Sequence, residues 1–325
     1  MYYPGSRSIL KEISIHLKKT GEIGMKKLLV VAGSLLAVVL LVIGGAAFWL
    51  YQSVENTVAG EMHEQLDREK SDLREADVDL DGGQPASFLL LGVDAEASDA
   101  GRTDTMMVVT VNPKEDSMRM VSLPRDTRMP LAGREGEDKV NHAYAFGGAD
   151  MAMRTVEDYF GIPIDYVVSV NMDGLQDVID TLGGITVHNE LAFEENQHAF
   201  PVGDIALSGE EALSFVRMRQ EDPAGDLGRN ARQREVVTAM IREGAQFSNI
   251  TNIRAILTSM REHVRTNLEL EEMIQLQQHY ADTRYNQEIL ELTGAGERID
   301  GIWYLIVPDD ERQRVSDELQ EHLEL

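Results

Sequence analysis

The sequence predicts an α/β domain built on a mixed central β-sheet flanked by helices, joined to one apolar N-terminal span. Three observations carry that reading. From residue 86 onward, short apolar runs bounded by turn residues alternate with helix-periodic stretches. The run Phe88-Leu89-Leu90-Leu91, closed by Gly92, is apolar on both of its faces, as a strand buried on both sides of a sheet must be. Residues 28–51 form an uncharged apolar block of 24 residues. At ~1.5 Å rise per residue such a block reaches ~36 Å as a helix, enough to cross a ~30 Å hydrocarbon core.

The elements follow in order. Arg7, Lys11, Lys18, Lys19, Lys26 and Lys27 precede the block against only Glu12 and Glu22, a bias that keeps the N-terminus in the cytosol. Trp49 and Tyr51 sit at its far end, where amphipathic rings favour the interface. No Ala-x-Ala cleavage site follows, so the block reads as a retained signal anchor. The chain then divides into a cytoplasmic segment (1–27), a transmembrane anchor (28–51), an extracytoplasmic linker (52–84) and a folded domain (85–325). Met25, directly before Lys26, is an alternative start. The linker is polar and charged and reads as a stalk, part of it able to form a surface helix ending at 79–83.

Within the domain, TMMVVTVNP (105–113) and MRMVSLPR (118–125) read as strands around the turn NPKEDS. Residues 141–160 read as a helix, with Asn141 as its cap. Residues 165–171 form a strand, 174–182 a helix stopped by Gly183-Gly184, and 185–187 a strand. A helix opens after Ser208, whose partner Glu211 three places on completes a capping box. A long helix runs from about 229 to 245, and further helical segments fall around 251–280. IWYLIVP reads as a last strand and ERQRVSDELQEHL as a closing helix.

Composition narrows the function. The chain holds 30 basic and 56 acidic residues, a net charge of −26. The basic N-terminal segment leaves the remainder more acidic still, with Lys70, Lys114 and Lys139 its only lysines. Such a surface repels nucleic acid. Cysteine is absent, which excludes disulfides, thiol nucleophiles and cysteine metal sites. Neither a zinc-protease helix, nor a GxxxxGK[ST] phosphate loop, nor a GxSxG elbow is present.

Three clusters can carry chemistry. In GVDAEASDAGRTDT, Asp94 stands just past a buried strand and Asp104 ten residues on, beside Arg102. Two carboxylates brought together there suit a hard cation that keeps open positions for phosphate oxygens; capped, solvent-facing turns are the competing reading. In SLPRDTRMP, Arg125 and Arg128 stand out because bases are scarce. A guanidinium fork at Arg125 fits a phosphate oxygen pair, and Asp126 either orients Arg125 or meets the metal. The strongest cluster is FVRMRQEDPAGDLGRNARQR, where Arg217, Arg219, Arg229, Arg232 and Arg234 make a cationic island on an acidic protein. An extended 215–219 would put Arg217 and Arg219 on one face. A helix from Arg229 would put Arg229 and Gln233 one turn apart. Pyrophosphate is the natural complement. A solvated face pairing with Glu221, Asp222 and Asp226 is the alternative. In KVNHAYAFGG, His142 could donate to a ligand or act as a base, although a lone histidine is more often structural.

Taken together, FLLLGVDA, GRTDTMMVVTVNP, VSLPRDTRM, KVNHAYAFGG, YFGIPIDYVVSVN, TLGGITV and LSGEEALSFVRMRQEDPAGDLGRNARQREV resemble the LytR-CpsA-Psr family, most closely over 86–240. The resemblance implies an α/β domain enclosing an apolar pocket for a prenyl tail. It implies a phosphotransferase outside the membrane that moves a glycopolymer, such as wall teichoic acid, from an undecaprenyl-pyrophosphate carrier. The acceptor is the C6 hydroxyl of N-acetylmuramic acid in a peptidoglycan glycan strand. By the same resemblance Asp94 and Asp104 bind Mg²⁺, with Mn²⁺ as an alternative. Arg125, Arg217 and Arg219 bind the pyrophosphate, joined by Gln233 and by Arg229 at another charged position of the motif. Asp104, or a neighbouring carboxylate, is then the candidate base. Hydrolysis of the same linkage and non-catalytic binding of lipid-linked polymer are the competing functions. The polymer's identity and the oligomeric state stay open.

Overall fold

The computed structural model describes residue 55 and residues 57–94, 101–218, 222–244 and 261–325, with the side chains of residues 61, 94, 102 and 226 excepted. The apolar block 28–51 lies outside the described residues. Among those described, no helix is long and apolar enough to cross a membrane.

The domain opens with β1 (Ala86–Asp94), β2 (Arg102–Asn112) and β3 (Ser117–Ser122). A small hairpin of β4 (Arg128–Pro130) and β5 (Glu137–Lys139) leads into α1 (Asn141–Phe160). Next come β6 (Tyr166–Asn171), α2 (Met172–Thr181), β7 (Ile185–Asn189), β8 (Phe193–Glu195), β9 (His198–Phe200) and β10 (Gly203–Leu207). Helices α3 (Gly209–Arg217) and α4 (Asp226–Gly244) follow, then β11 (Val264–Thr266) and α5 (Leu270–His279). The chain ends with β12 (Gln287–Leu290), β13 (Ala295–Ile299), β14 (Ile302–Ile306) and α6 (Asp309–His322).

Six strands make the central sheet, in the order β11-β6-β1-β2-β3-β12. Strand β1 runs antiparallel to β2 and parallel to β6, so the sheet is mixed as expected. The all-apolar run 88–91 is explained by layers on both faces. Leu89, Leu91 and Val93 join Met106, Val108 and Val121 in a core closed by α1 and α6 through Val156, Phe160, Val315 and Leu319. Phe88 and Leu90 face the other way, with Met107 and Val109, toward Val237 and Ile241 of α4 and Met273 and Leu276 of α5. Truncating a fully buried member such as Leu89 to alanine would cost about 2–5 kcal/mol. A smaller core lies under β7, β10, α2 and α3. Its centre is Phe193, Phe200 and Phe215, with ring centroids 4.7, 5.5 and 5.6 Å apart.

Several expectations hold in detail. Ser208 and Glu211 form the capping box of α3, satisfying two N-terminal donors reciprocally. The long arginine-bearing helix is α4, opening three residues earlier than expected. Others need correction. The cap position of α1 is Val140, not Asn141, and no side chain caps it; the Val140 and Asn141 amides donate to the Thr127 and Arg125 carbonyls. Within the helical stretch expected at 251–280, residues 264–266 are an edge strand on β6, the helix starts only at Leu270, and 251–260 lie outside the described residues. The last strand, 302–306, and the closing helix form as expected; the strand pairs with β13 in a hairpin outside the six-stranded sheet, whose edges are β11 and β12. Edge strands of three and four residues are too short to show a two-residue alternation.

Residues 57–84 are not a free stalk. Val58, Met62 and Leu80 are buried. Arg74 forks onto Asp165, its Nε and Nη2 donating to Oδ1 and Oδ2 at 2.9 Å, while Asp165 Oδ2 also accepts from the Ser87 amide. Arg68 pairs with Glu157. Both pairs are almost fully desolvated, so loss of one partner would strand a charge.

The C-terminal helix is locked by a buried histidine. Thr110 Oγ1 and Ser117 Oγ lie 2.7 and 2.9 Å from His322 Nδ1 and Nε2. Burial, with Arg119 nearby, pushes the imidazole down from 6.5 to about 4. Its unfolded form therefore binds the extra proton, so this contribution is complete above pH 6.5 and is lost as pH falls toward 4. Thermal unfolding of the full chain should show ~2 kcal/mol more acid destabilisation between pH 7.5 and 5 than His322→Gln shows. Equal pH dependence in the two proteins would remove this account.

Candidate functional site

The site begins at a fault in the sheet. Gly92 pairs with Thr105 but Val93 pairs with Thr103, so Asp104 is the extra residue of a β-bulge. Bulges re-aim a side chain at the end of a ladder. Gly92 is required there: a Cβ would lie 2.9 Å from the Thr105 Cβ. Asp94 pairs with Arg102 in backbone register at the end of β1; the side chains of both lie outside the described residues. The bulge sits where the parallel strands β1 and β6 end, with Val93 opposite Asn171. Carboxyl ends of parallel strands are where open α/β sheets bind ligands.

Arg125 reaches Asp104 from the loop after β3, its Nη1 donating to Oδ1 at 2.6 Å. Its Nε lies 3.9 Å from Asp126 Oδ2, and Lys139 Nζ donates to Asp126 Oδ1 at 2.6 Å. The result is an alternating row of Asp104, Arg125, Asp126 and Lys139, each partly exposed. Two contacts brace the loop. The Leu305 amide donates to the Asp126 carbonyl, and Tyr304 lies under both Arg128 and Lys139, 5.7 and 5.8 Å from its ring centroid. Arg128 itself pairs with Glu137 at 2.7 Å and belongs to the β4–β5 hairpin. His142 Nδ1 lies 2.8 Å from Asp138 Oδ2, beside Phe146.

A nearly all-apolar cavity of about 230 Å³ opens between the sheet and helices α2 and α4. Gly92, Thr105 and Asn171 line it at the bulge end, Val216 and Gln233 on the helical side. Two of the three sequence clusters thus line one cavity, and the third is tied to it only through the Arg125–Asp104 pair. Its apolar wall on α4, Val236, Val237, Met240 and Ile241, was legible only as a helix face that could equally have been core. Asn171 escaped the sequence reading; it caps α2, its side chain accepting from the Gly174 amide.

The five arginines divide. Arg229 and Gln233 are both buried and one turn apart on α4, as expected. Arg217 ends α3, so 215–217 is helical rather than extended. It is exposed and makes no hydrogen bond or ion pair among the described residues; Arg219 lies outside them. Arg232 is structural. Its Nη1 donates to Asp222 at 2.6 Å, while Nε and Nη2 donate to the Phe215 and Met218 carbonyls at 3.2 and 2.6 Å. Burial alone would raise the Asp222 carboxyl, but Arg232 and the Ala224 amide hold it below the usual carboxylate range. The pairing alternative thus holds for Arg232 with Asp222, while Glu221 and the Asp226 side chain lie outside the described residues.

As a cation site, the described residues contribute hard oxygen donors. Asp104 Oδ2 makes no hydrogen bond among the described residues, and the hydroxyl of the preceding residue, Thr103, is buried without a partner. No cluster of three or more metal-ligating side chains occurs among the described residues. A cation bound by one or two carboxylates, with substrate oxygens completing its shell, does not require one.

This fold and site define the LytR_cpsA_psr family, whose model matches residues 49–321, and the chain belongs to that family. Among its relatives is the polyisoprenyl-teichoic acid–peptidoglycan teichoic acid transferase TagU of Halalkalibacterium halodurans. The two are 51% identical over 304 residues, 93% of this chain and 100% of that one. The crystal structure of Bacillus subtilis TagU is 42% identical with a TM-score of 0.63, covering 74% of this chain and 98% of that one. A structure of TagT bound to LI-WTA is 32% identical with a TM-score of 0.69, covering 81% and 100%.

The division among arginines is measurable. Arg232→Ala strands the buried Asp222 carboxylate and should lower unfolding free energy by about 3–5 kcal/mol in urea titrations. Arg217→Ala should stay within about 0.5 kcal/mol of the parent. Equal losses would mean that Arg217 is also structural.

Proposed function

We propose that the protein transfers an anionic glycopolymer, wall teichoic acid, from undecaprenyl pyrophosphate to the C6 hydroxyl of N-acetylmuramic acid in peptidoglycan. One observation carries the reading: a cavity with almost no polar wall starts at Gly92 and Thr105, at the bulge whose Asp104 pairs with Arg125, and has Gln233 in its lining. An amphipathic donor needs both parts, an apolar slot for the first isoprene units and cationic donors for two phosphates. The transferase activity in the TagU relatives' name supports the same reaction.

The acceptor oxygen forms a new P–O bond to the phosphorus that carries the polymer. The bond from that phosphorus to the bridging oxygen breaks, and undecaprenyl phosphate leaves with the electron pair. The hydroxyl proton passes to Asp104 Oδ2 or a neighbouring carboxylate. Arg125, Arg217 and Arg219, with Arg229 and Gln233 behind them, hold the pyrophosphate and stabilise charge developing on its oxygens. Asp126 and Lys139 keep the Arg125 guanidinium turned toward the bulge. Asp94 and Asp104 would hold Mg²⁺ or Mn²⁺, which supplies charge neutralisation at the phosphoryl oxygens. No residue is placed as a covalent nucleophile in this scheme, so transfer is direct.

The block 28–51 anchors the protein as a single-pass membrane protein with its domain outside the cell, in a Gram-positive bacterium. Anchoring confines the search to the surface that holds the donor.

The test is a transfer assay with the full chain in detergent, a prenyl-pyrophosphate-linked teichoic acid precursor, uncrosslinked glycan strands and Mg²⁺. Mass spectrometry should find a muramic acid phosphodiester that disappears with EDTA and falls about 10²–10³-fold in Arg217→Ala. Polymer phosphate released without linkage would make the protein a hydrolase. Bound but unchanged donor would make it a binding module.

A further inference from the structure

A second concavity lies on the other side of α4. It is a polar cleft of about 590 Å³ between the N-terminal half of α4, the end of β3 and the segments 188–191 and 289–294. Consecutive residues face the two spaces: Val216 and Gln233 line the apolar cavity, Phe215 and Arg234 the cleft. Pro124 also lines the cleft, and the next residue is Arg125. The cleft therefore borders the reacting centre without belonging to the apolar cavity.

We infer that this cleft binds the acceptor, the neutral amino-sugar strand of peptidoglycan, and so presents its hydroxyl to the phosphorus. The inference rests on the transferase reading above.

Unused donors point to a ligand. Asn230 is 5% exposed, and its Nδ2 has no hydrogen-bond partner among the described residues. Arg234 Nε is buried and likewise without a partner. Both residues line the cleft. Buried donors left unmade are unfavourable, and acetamide carbonyls and sugar hydroxyls supply the acceptors they lack. Charge then selects between the two polymers. Glu190, Asp222, Glu235 and Glu291 line the cleft against Arg232 and Arg234, with His188 drawn to Asp204. Arg232 is already neutralised by Asp222. A polyphosphate chain meets net negative charge here, whereas an uncharged glycan does not. Exposed Leu227 and Ile289 provide apolar contact for the C–H faces of pyranose rings.

The experiment measures equilibrium binding of lipid-free, uncrosslinked peptidoglycan strands to the full chain in detergent, with glycerol-phosphate oligomers as the competing probe. Strands should bind and glycerol-phosphate oligomers should not displace them. Arg234→Leu and Leu227→Trp should each weaken strand binding about tenfold and leave prenyl pyrophosphate binding unchanged. Leu227 is 60% exposed, so its replacement fills the cleft without disturbing a core even if Arg234→Leu fails to fold. Strand binding unchanged in Leu227→Trp, or prenyl pyrophosphate binding lost in Leu227→Trp, overturns the assignment. In the transfer assay the same variants should raise the acceptor KM and spare the donor KM. A parent protein that binds strands in the cleft yet never transfers would sink the transferase reading and keep the cleft. A parent that transfers with acceptor KM unmoved in Leu227→Trp would do the reverse.

Discussion

The bulge between β1 and β2 is the constraint on which the rest of the site depends. Side chains alternate across a strand with a period of two, so one inserted residue exchanges the faces on either side of it. Up to Gly92, the ladder with β2 is regular and buries alternate residues in two cores. Beyond it, Thr103 and not Asp104 takes the next pairing position. That leaves Asp104 available to Arg125 at the sheet end. The close approach that lets the ladder restart is set by the missing Cβ of Gly92. The apolar cavity starts from the same two residues, Gly92 and Thr105. A carboxylate and the mouth of an apolar space thus share one cause.

On an acidic chain, an arginine can be held either for the fold or for a ligand, and the surroundings distinguish the two. Arg74 and Arg232 each meet a buried carboxylate and carbonyl oxygens in fixed geometry, which consumes their donors. Arg217 meets none among the described residues, although it ends a helix whose last-turn carbonyls favour a cation. Arg125 is intermediate. Its partner Asp104 is partly exposed, so the pair can open toward an incoming phosphate at far smaller cost than a buried pair.

Much of this was legible in the sequence because its causes are local. The double-faced run 88–91, the capping box at Ser208 and the helical register joining Arg229 to Gln233 all follow from neighbours within a turn or a strand. What escaped has distant causes. The segment 57–84 reads as a polar stalk because the groups that hold it, Glu157 and Asp165, lie 89 and 91 residues from Arg68 and Arg74. Arg232 reads as one of five equal cations because the carbonyls that claim it belong to the preceding helix end. The bulge is invisible for a third reason: no pattern in β2 alone says where its partner skips a residue.

Helix α4 gathers these threads. Its Val236 and Ala239 complete the small core with β7 and α3, while Val237 and Ile241 cover the sheet. A helix wedged between two cores keeps its ends for polar contacts; Arg229 to Arg234 lie in the N-terminal half and Arg242 near the other end. Gln233 and Arg234, about 100° apart around the helix, fall on either side of the divide. One joins the apolar cavity and the other the polar cleft. Two chemically unlike ligands can therefore approach one rigid wall from opposite sides and meet at its end, where Arg125 and Asp104 are held. On the proposed assignment the same wall would keep a prenyl tail out of the cleft and a hydrated glycan out of the cavity. The order in which the ligands arrive then need not be enforced by any moving part.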